Sequence, residues 1–492
     1  MNRADVIVVG GGIAGIAAAL RLSELGVRVL VLETRKKLGG RATSFRDPRS
    51  GLVIDNCQHV ALGCCTNYLD LCRRLGVDGK IDWQDTIYWL EQGGRVSEMR
   101  AGLLPAPSHY LGSLLGAHFL SARDKLLISG AMRAAMRTDR RRHCGSTFGR
   151  WLAAQGQSGS AVERFWSPIV VSACNLSVDR VCASVALHVI QEGFLASRES
   201  AVMGVPGAPL VELYDPALLR IERAGGGVRL GVGVEAIGER FVMSTGGERL
   251  DADRVICALP VERVVRSVEP SVRESDERFG RLGEVEHSPI LGVHIAFDRP
   301  VLPFPNAVLV GCGAQWLFRK DFEGSMVHAV ISAAEEWVEL PEDALVGRVL
   351  ADIHACLPGA EGAGILSVRA VKEKQATFAA TPAFEAARPD TVGASRLILA
   401  GDYVRTGWPA TMEGAARSGY RAAAAAMGDP IDVFVCSARR PAALIRLFGA
   451  PGLRDQHRPG VGAVRPLSHF DACAAEEALT AVSTRRSKAA GS

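Results

Sequence analysis

The chain has 492 residues, 48% of them hydrophobic and 22% charged, with a formal net charge of +4 at pH 7. The length exceeds one ordinary core and implies about two or three domains of globular composition. So small a charge excludes the concentrated basic field of a nucleic-acid-binding protein, and no nucleic-acid partner is expected. Residues 5–9, DVIVV, form an apolar β-branched run that reads as a strand. Gly10-Gly11-Gly12-Ile13-Ala14-Gly15 follows, and residues 13–26, IAGIAAALRLSELG, read as a helix stopped at Gly26. Residues 27–33, VRVLVLE, read as a second strand ending in Glu33. In this order of strand, GxGxxG, helix, strand and acid, Gly10 permits the tight turn. Gly12 lets the backbone approach a pyrophosphate, and Gly15 lets helix and strand pack closely. The helix start at Ile13 and Ala14 presents N–H groups and a positive dipole end to phosphate. Glu33, with Thr34 and Arg35 beside it, is placed to accept from a ribose 2′-OH, and its carboxylate would repel a 2′-phosphate. The pattern predicts a dinucleotide site that is not for NADP and leaves FAD and NAD open.

The next residues, Arg35-Lys36-Lys37-Leu38-Gly39-Gly40-Arg41, resemble the second phosphate-contacting loop of amine oxidase and carotenoid desaturase flavoproteins. That resemblance implies FAD, with Gly39, Gly40 and Arg41 against its pyrophosphate and flavin side; a plain basic turn is the alternative. Residues 101–122 carry no formal charge, but Pro105 and Pro107 break the start of the stretch. Ser108 to Ala122 as a helix would span ~22 Å against a bilayer core of ~30 Å, so it could lie in a membrane but not cross one. The 12 cysteines are scattered without a CxxC pair and read as small buried hydrophobes of a reducing cytosol. The chain runs straight into its first strand, so no signal peptide is expected and the sequon Asn175-Leu176-Ser177 carries little weight. The expected location is cytoplasmic. No zinc spacing, serine nucleophile elbow or P-loop is present, and no metal site is expected. Residues 228–237, VRLGVGVEAI, resemble the strand that contacts adenine around Val234, and residues 253–260, DRVICALP, the strand before the chain leaves for a substrate domain.

Residues 396–402, RLILAGD, read as a strand ending at Gly401-Asp402, and a helical stretch begins near Met412. The segment resembles the last FAD motif of the same superfamily. The resemblance implies that Asp402 binds the ribityl chain. It also implies that the helix entered through Pro409, Ala410 and Thr411, and carrying Met412 and Ala415, aims its positive end at the flavin pyrimidine. The expected fold is α/β. A discontinuous Rossmann-type FAD-binding domain (1–75, 200–275 and 390–428) joins an α+β substrate domain (76–199 and 276–389), with a loosely ordered tail over 429–492.

Residues 53–69, VIDNCQHVALGCCTNYL, are similar to a signature of the squalene-associated FAD-dependent desaturases, the hydroxysqualene dehydroxylase family. The similarity continues in FWSPIVVSACN (165–175), GFLASRESAVMGVPGAPLVELY (193–214), SPILGVHIAFDRPVLP (288–303), QWLFRK (315–320), VKEKQATF (371–378) and GDYVRTGWPATMEGAARSG (401–419). Lys37, Cys57 and Cys65 depart from the family pattern. The resemblance implies reductive dehydroxylation of hydroxysqualene to squalene in squalene and hopanoid biosynthesis. A hydride passes from reduced flavin N5 to an allylic carbon while water is excluded and the leaving oxygen protonated. Asp55, Gln58 and His59 are implied on the substrate face, His59 as the candidate proton donor, and Trp408 is a candidate wall. Squalene-synthase-like prenyl transferases of the same pathway are implied partners. A carotenoid (phytoene-type) desaturase, a flavin amine oxidase and a flavin-binding escort protein remain alternatives. Because the implied substrate resides in a bilayer, two stretches are expected to dock peripherally on the inner face of the cell membrane. One is YLGSLLGAHFL (110–120), flanked by Arg100, Arg123 and Lys125; the other is RRPAALIRLF (439–448).

Overall fold

The computed structural model describes residues 4–437. Its first sheet grows around β1 (Ala4–Val9), whose apolar run is buried almost throughout, as a central parallel strand requires. On one side β1 pairs in parallel with β2 (Val29–Glu33), and β2 with the strand Gly227–Leu230. On the other side β1 pairs in parallel with Arg249–Cys257, which also pairs with Ile398–Leu399. An antiparallel meander of Val234–Ile237, Phe241–Ser244 and Arg249–Cys257 completes the sheet. The helix α1 (Ile13–Glu24) crosses from β1 to β2 and packs against the C-terminal helix Met412–Met427. Gly419 makes that approach close: a Cβ there would lie 2.3 Å from the Ala14 carbonyl oxygen.

A second sheet, assembled from 86–100 and 287–378, runs in the order Ile365–Phe378, His287–Phe297, Met326–Ser332, Trp316–Arg319, Asn306–Leu309, Thr86–Leu90, Val96–Arg100. Helices between residues 108 and 195, including two π-helical segments, Val162–Trp166 and Val189–Leu195, share a core with part of it, around Ile87, Trp89 and Met99. Such widened turns concentrate at functional sites. The fold is thus α/β with a second, mixed layer.

Three expectations are corrected. The run 228–237 is not one strand. Gly231 turns it with a φ of 76°, and Gly231 and Val232 donate to the carbonyls of Arg35 and Glu33. The halves therefore enter the sheet at separate places, with Val234 opposite Ser244. Residues 108–122 are not one helix either. A single turn over Ser108–Tyr110 leads into Leu111–Gly116, and Ala117 is extended, with a ψ of 109°. Finally, the expected loose tail from 429 begins as packed chain. Arg421 holds Asp432 at 2.6 Å, and Cys436 accepts from Thr66 and donates its N–H to Asn67. The stretch 439–448 lies outside the described residues.

Candidate functional site

The N-terminal turn places each glycine differently. Gly10 has a φ of 107°, which L side chains rarely adopt. A Cβ on Gly15 would sit 1.9 Å from the Gly10 carbonyl oxygen, so Gly15 is required by packing. A Cβ on Gly12 would meet only the Cα of Gly40, 3.9 Å away. Gly12 bridges Gly39, and Gly39 donates to the Gly11 carbonyl at 2.9 Å. The two glycine loops are thereby zipped together and leave an opening at Gly12.

The helix α1 begins at this opening with Gly12 as its N-cap, and no side chain caps it although Ile13, Ala14 and Gly15 are buried. A buried, uncapped helix start leaves its first N–H groups seeking an acceptor. An opening beside an uncapped positive helix end fits a pyrophosphate. Glu33 lies at the edge of the turn. Its Oε2 accepts from Gly11 N at 2.7 Å and its Oε1 from Arg35 N at 2.7 Å. It therefore shapes the loop itself, besides any sugar it accepts from. Thr34 and Arg35 are exposed, and Arg35 donates to the Gly40 carbonyl at 2.9 Å.

Arg41 connects the near and far ends of the chain, its guanidinium reaching Asp402 at 2.6 Å and the Ala376 carbonyl at 3.0 Å. Gly401 has a φ of 146° and donates to Ser418 of the C-terminal helix. Thr411 caps that helix by accepting from Gly414 N, so the residue expected to lead the helix toward a ligand also closes part of its end. Pro409 is buried, and Ala410, Met412 and Ala415 are half-buried around it. Nothing in the local sequence marks Arg388, which is buried and donates to the carbonyls of Asp402, Tyr403, Val404 and Trp408. It holds the loop of the last motif in shape. Tyr214 likewise packs against Gly39 and shares a hydrogen bond with Tyr68.

Glu413, fully buried at the start of the C-terminal helix, accepts from Asn67 and Tyr68 at the start of the helix Thr66–Leu75. Burial pushes its carboxyl up to about 7, outweighing those hydrogen bonds.

Asp55, Gln58 and His59 do come together, and a residue not foreseen, Lys320, joins them. Lys320 Nζ lies 3.4 Å from Asp55 Oδ2 and 3.2 Å from Gln58 Oε1. Asp55 is tied further by Ser44 at 2.7 Å and by Leu210 N at 3.1 Å. His59 Nδ1 lies 3.1 Å from the Cys57 carbonyl. A carbonyl can only accept, so the proton sits on Nδ1. Burial holds the ring below the usual histidine range, which leaves Nε2 an acceptor. Beside this group, His294 and His328 stand opposite each other on antiparallel strands with ring centroids 3.8 Å apart. His294 Nε2 bonds the Asp55 carbonyl at 3.0 Å. His328 is fully buried and neither of its ring nitrogens finds a partner among the described residues. Burial lowers both rings, His294 to about 4. Trp408 meets His188 edge-on at 4.5 Å.

Among the described residues no group of three or more His, Cys, Asp or Glu is arranged to hold a metal ion. No helix among them is long and apolar enough to cross a membrane.

Residues 13–427 match the family model described as flavin containing amine oxidoreductase. The chain is 30% identical over 447 residues to a hydroxysqualene dehydroxylase of Rhodopseudomonas palustris, covering 85% of this chain and 97% of that protein. It is 24% identical to a chloroplastic/chromoplastic zeta-carotene desaturase of Zea mays, covering 85% and 82%. Among solved structures, an oxidoreductase from Methanosarcina mazei superimposes with a TM-score of 0.65 at 17% identity over 84% of this chain and 98% of that one.

Proposed function

We propose that this chain, which belongs to the flavin-containing amine oxidoreductase family and is a flavin-dependent oxidoreductase, uses FAD to convert hydroxysqualene to squalene. The observation that carries the reading is the likeness to a hydroxysqualene dehydroxylase along almost the whole of that relative. The reaction breaks an allylic carbon–oxygen bond, forms a carbon–hydrogen bond and releases water, so it consumes one hydride and one proton. Reduced flavin, when bound, supplies the hydride. Gly12, Gly40 and the start of α1 are the residues we assign to the pyrophosphate, Glu33 to the ribose and Asp402 to the ribityl chain.

We assign the proton to Lys320 in place of His59. The neutral His59 ring, its Nδ1–H given to the Cys57 carbonyl, has only an acceptor left, whereas the Lys320 ammonium keeps an N–H beyond those directed at Asp55 and Gln58. His59, His294 and His328, all held neutral by burial, add no competing charge around it.

The test is anaerobic. Photoreduced protein is mixed with hydroxysqualene and the lipid extract is analysed by mass spectrometry. Squalene in step with reoxidation of the flavin is expected; an unchanged flavin spectrum with substrate intact overturns the reading. Lys320→Met is expected to lower this turnover roughly a hundredfold, at the low end for general acid catalysis, while the protein stays yellow. A second reading, oxidation of a carotenoid-type polyene, draws on the likeness to the desaturase. It requires the oxidised protein to bleach on adding such a polyene.

A further inference from the structure

Leucines are exposed in an unusual concentration between residues 103 and 126. Leu103 is 96% exposed, Leu126 75% and Leu115 62%, and Leu104 and Leu111 are exposed as well. Hydrogen bonds tie together the segments that carry them. Gly102 donates to the His109 carbonyl, Ser113 bonds both the N–H and the carbonyl of Arg100, and Lys125 donates to the Leu115 carbonyl at 2.7 Å. Leu111 and Leu115 are four residues apart and share one face of the helix Leu111–Gly116. Leu114, one residue before Leu115, is buried together with Ala117, Phe119 and Leu120, so the core takes up part of the stretch and leaves Leu111 and Leu115 outside it.

Within the stretch itself the exposed charges are one-sided, while Asp85 acts on Tyr110 and Arg198 and Glu199 on His109 from neighbouring elements. From residue 100 to residue 126 the charged side chains are Arg100, Arg123, Asp124 and Lys125. Asp124 is buried and taken up by the hydroxyls of Ser121 and Ser158. Arg100 and Arg123 are exposed. Exposed leucines beside exposed arginines match the boundary between acyl chains and anionic headgroups.

The same stretch leads toward the candidate site. Tyr110 lies 6.1 Å from Phe194, centroid to centroid, and Phe194 belongs to the π-helical segment Val189–Leu195. His188, which directly precedes that segment, touches Trp408 in the loop of the last motif. One run of packed side chains and helix thus joins the leucine surface to the loop that Arg388 holds.

We infer that the surface of residues 100–126 docks this protein on an anionic lipid bilayer, peripherally and reversibly. It deepens the isoprenoid reading, since a C30 hydrocarbon drawn directly from the bilayer avoids exposing its apolar area to water. The docking itself is measured without substrate, so its failure and the failure of that reading are separate results. The full chain is sedimented with phosphatidylcholine vesicles with and without phosphatidylglycerol. Binding is expected to rise with the anionic lipid and fall with salt. The triple variant Leu103→Glu, Leu111→Glu, Leu115→Glu is expected to bind roughly a hundredfold more weakly, since it removes apolar area and adds repelled charge. All three side chains face solvent, and circular dichroism checks that the fold is retained. Leu219→Glu, at an exposed leucine of the helix Pro216–Arg223, is expected to bind as the parent does. Protein that stays in the supernatant with anionic vesicles at low salt overturns the proposal. So does an equal loss in the Leu219 variant, or a dimer in solution that the triple variant dissociates while vesicles bind neither form.

Discussion

The glycine turn over residues 10–15 and the cluster around Lys320 are built on opposite terms. At the turn a side chain is an obstruction: the working surface is backbone N–H, and its geometry depends on atoms glycine lacks. At the cluster side chains are the working parts, and Lys320 reaches Asp55 across a separation of 265 residues. Burial acts with opposite results on an acid and a base. It raises the Glu413 carboxyl at the start of the C-terminal helix and lowers the His294 and His328 rings of the cluster, because in each case the charged form is the one disfavoured. A buried acid and a buried base therefore respond in opposite senses to the same change of pH.

The sharpest way to break the comparison lies within the turn itself. Gly15→Ala forces a Cβ against the Gly10 carbonyl and is expected to destabilise the fold by about 3 kcal/mol or more, read as a large fall in Tm or as insoluble protein. Gly12→Ala meets nothing closer than 3.9 Å and is expected to fold normally yet bind flavin roughly a hundredfold more weakly. Equal behaviour of the two variants would erase the distinction between a packing glycine and a site glycine.

Next in size is the pH dependence of urea unfolding. Glu413 moves from 4.5 when unfolded to about 7 when folded. Its contribution is complete below pH 4.5 and is lost as pH rises to 7, by about 3 kcal/mol. His294 moves from 6.5 to about 4. Its contribution is intact above pH 6.5 and is lost as pH falls to 4, by a similar ~3 kcal/mol. His328 shifts the same way as His294. In Glu413→Gln the histidine slope should stand alone, so stability falls on acidification below pH 6.5. In the double variant His294→Gln, His328→Leu, stability should instead fall on going from pH 4.5 to 7. Unaltered slopes in both variants would mean that burial does not govern these groups.

The smallest effect is expected at Glu33. Its removal leaves the N–H groups of Gly11 and Arg35 without their acceptors, at about 1–3 kcal/mol. Glu33→Ala should lower flavin affinity tenfold to a hundredfold, measured by the fluorescence of released flavin. A variant that keeps parental affinity and Tm would remove Glu33 from both the loop and the ribose.

Glycine spacing made the turn readable in advance, because a missing Cβ is recorded in the chain at the position where the backbone must come close. The same holds for β1, α1, β2 and the C-terminal helix, whose apolar periods are local. The glycine at 231 could have warned that residues 228–237 bend, but only the sheet order decided that the two halves enter it at separate places. Whether 108–122 presents an outer or an inner face was decided residue by residue: Leu111 and Leu115 are exposed while Leu114 beside them is buried, since the extent of the underlying core sets where burial stops. Lys320 and His294 lie in the family-like segments 315–320 and 288–303, but nothing local in the sequence shows what they, Arg388 or His328 pair with. Their partners lie on other strands and loops, and the pairing of the sheets and the close packing of the chain around Asp402 bring them together. Local sequence determined where backbone could serve as a ligand surface; the tertiary fold decided which side chains share a desolvated space, because that depends on strand order and on contacts hundreds of residues apart.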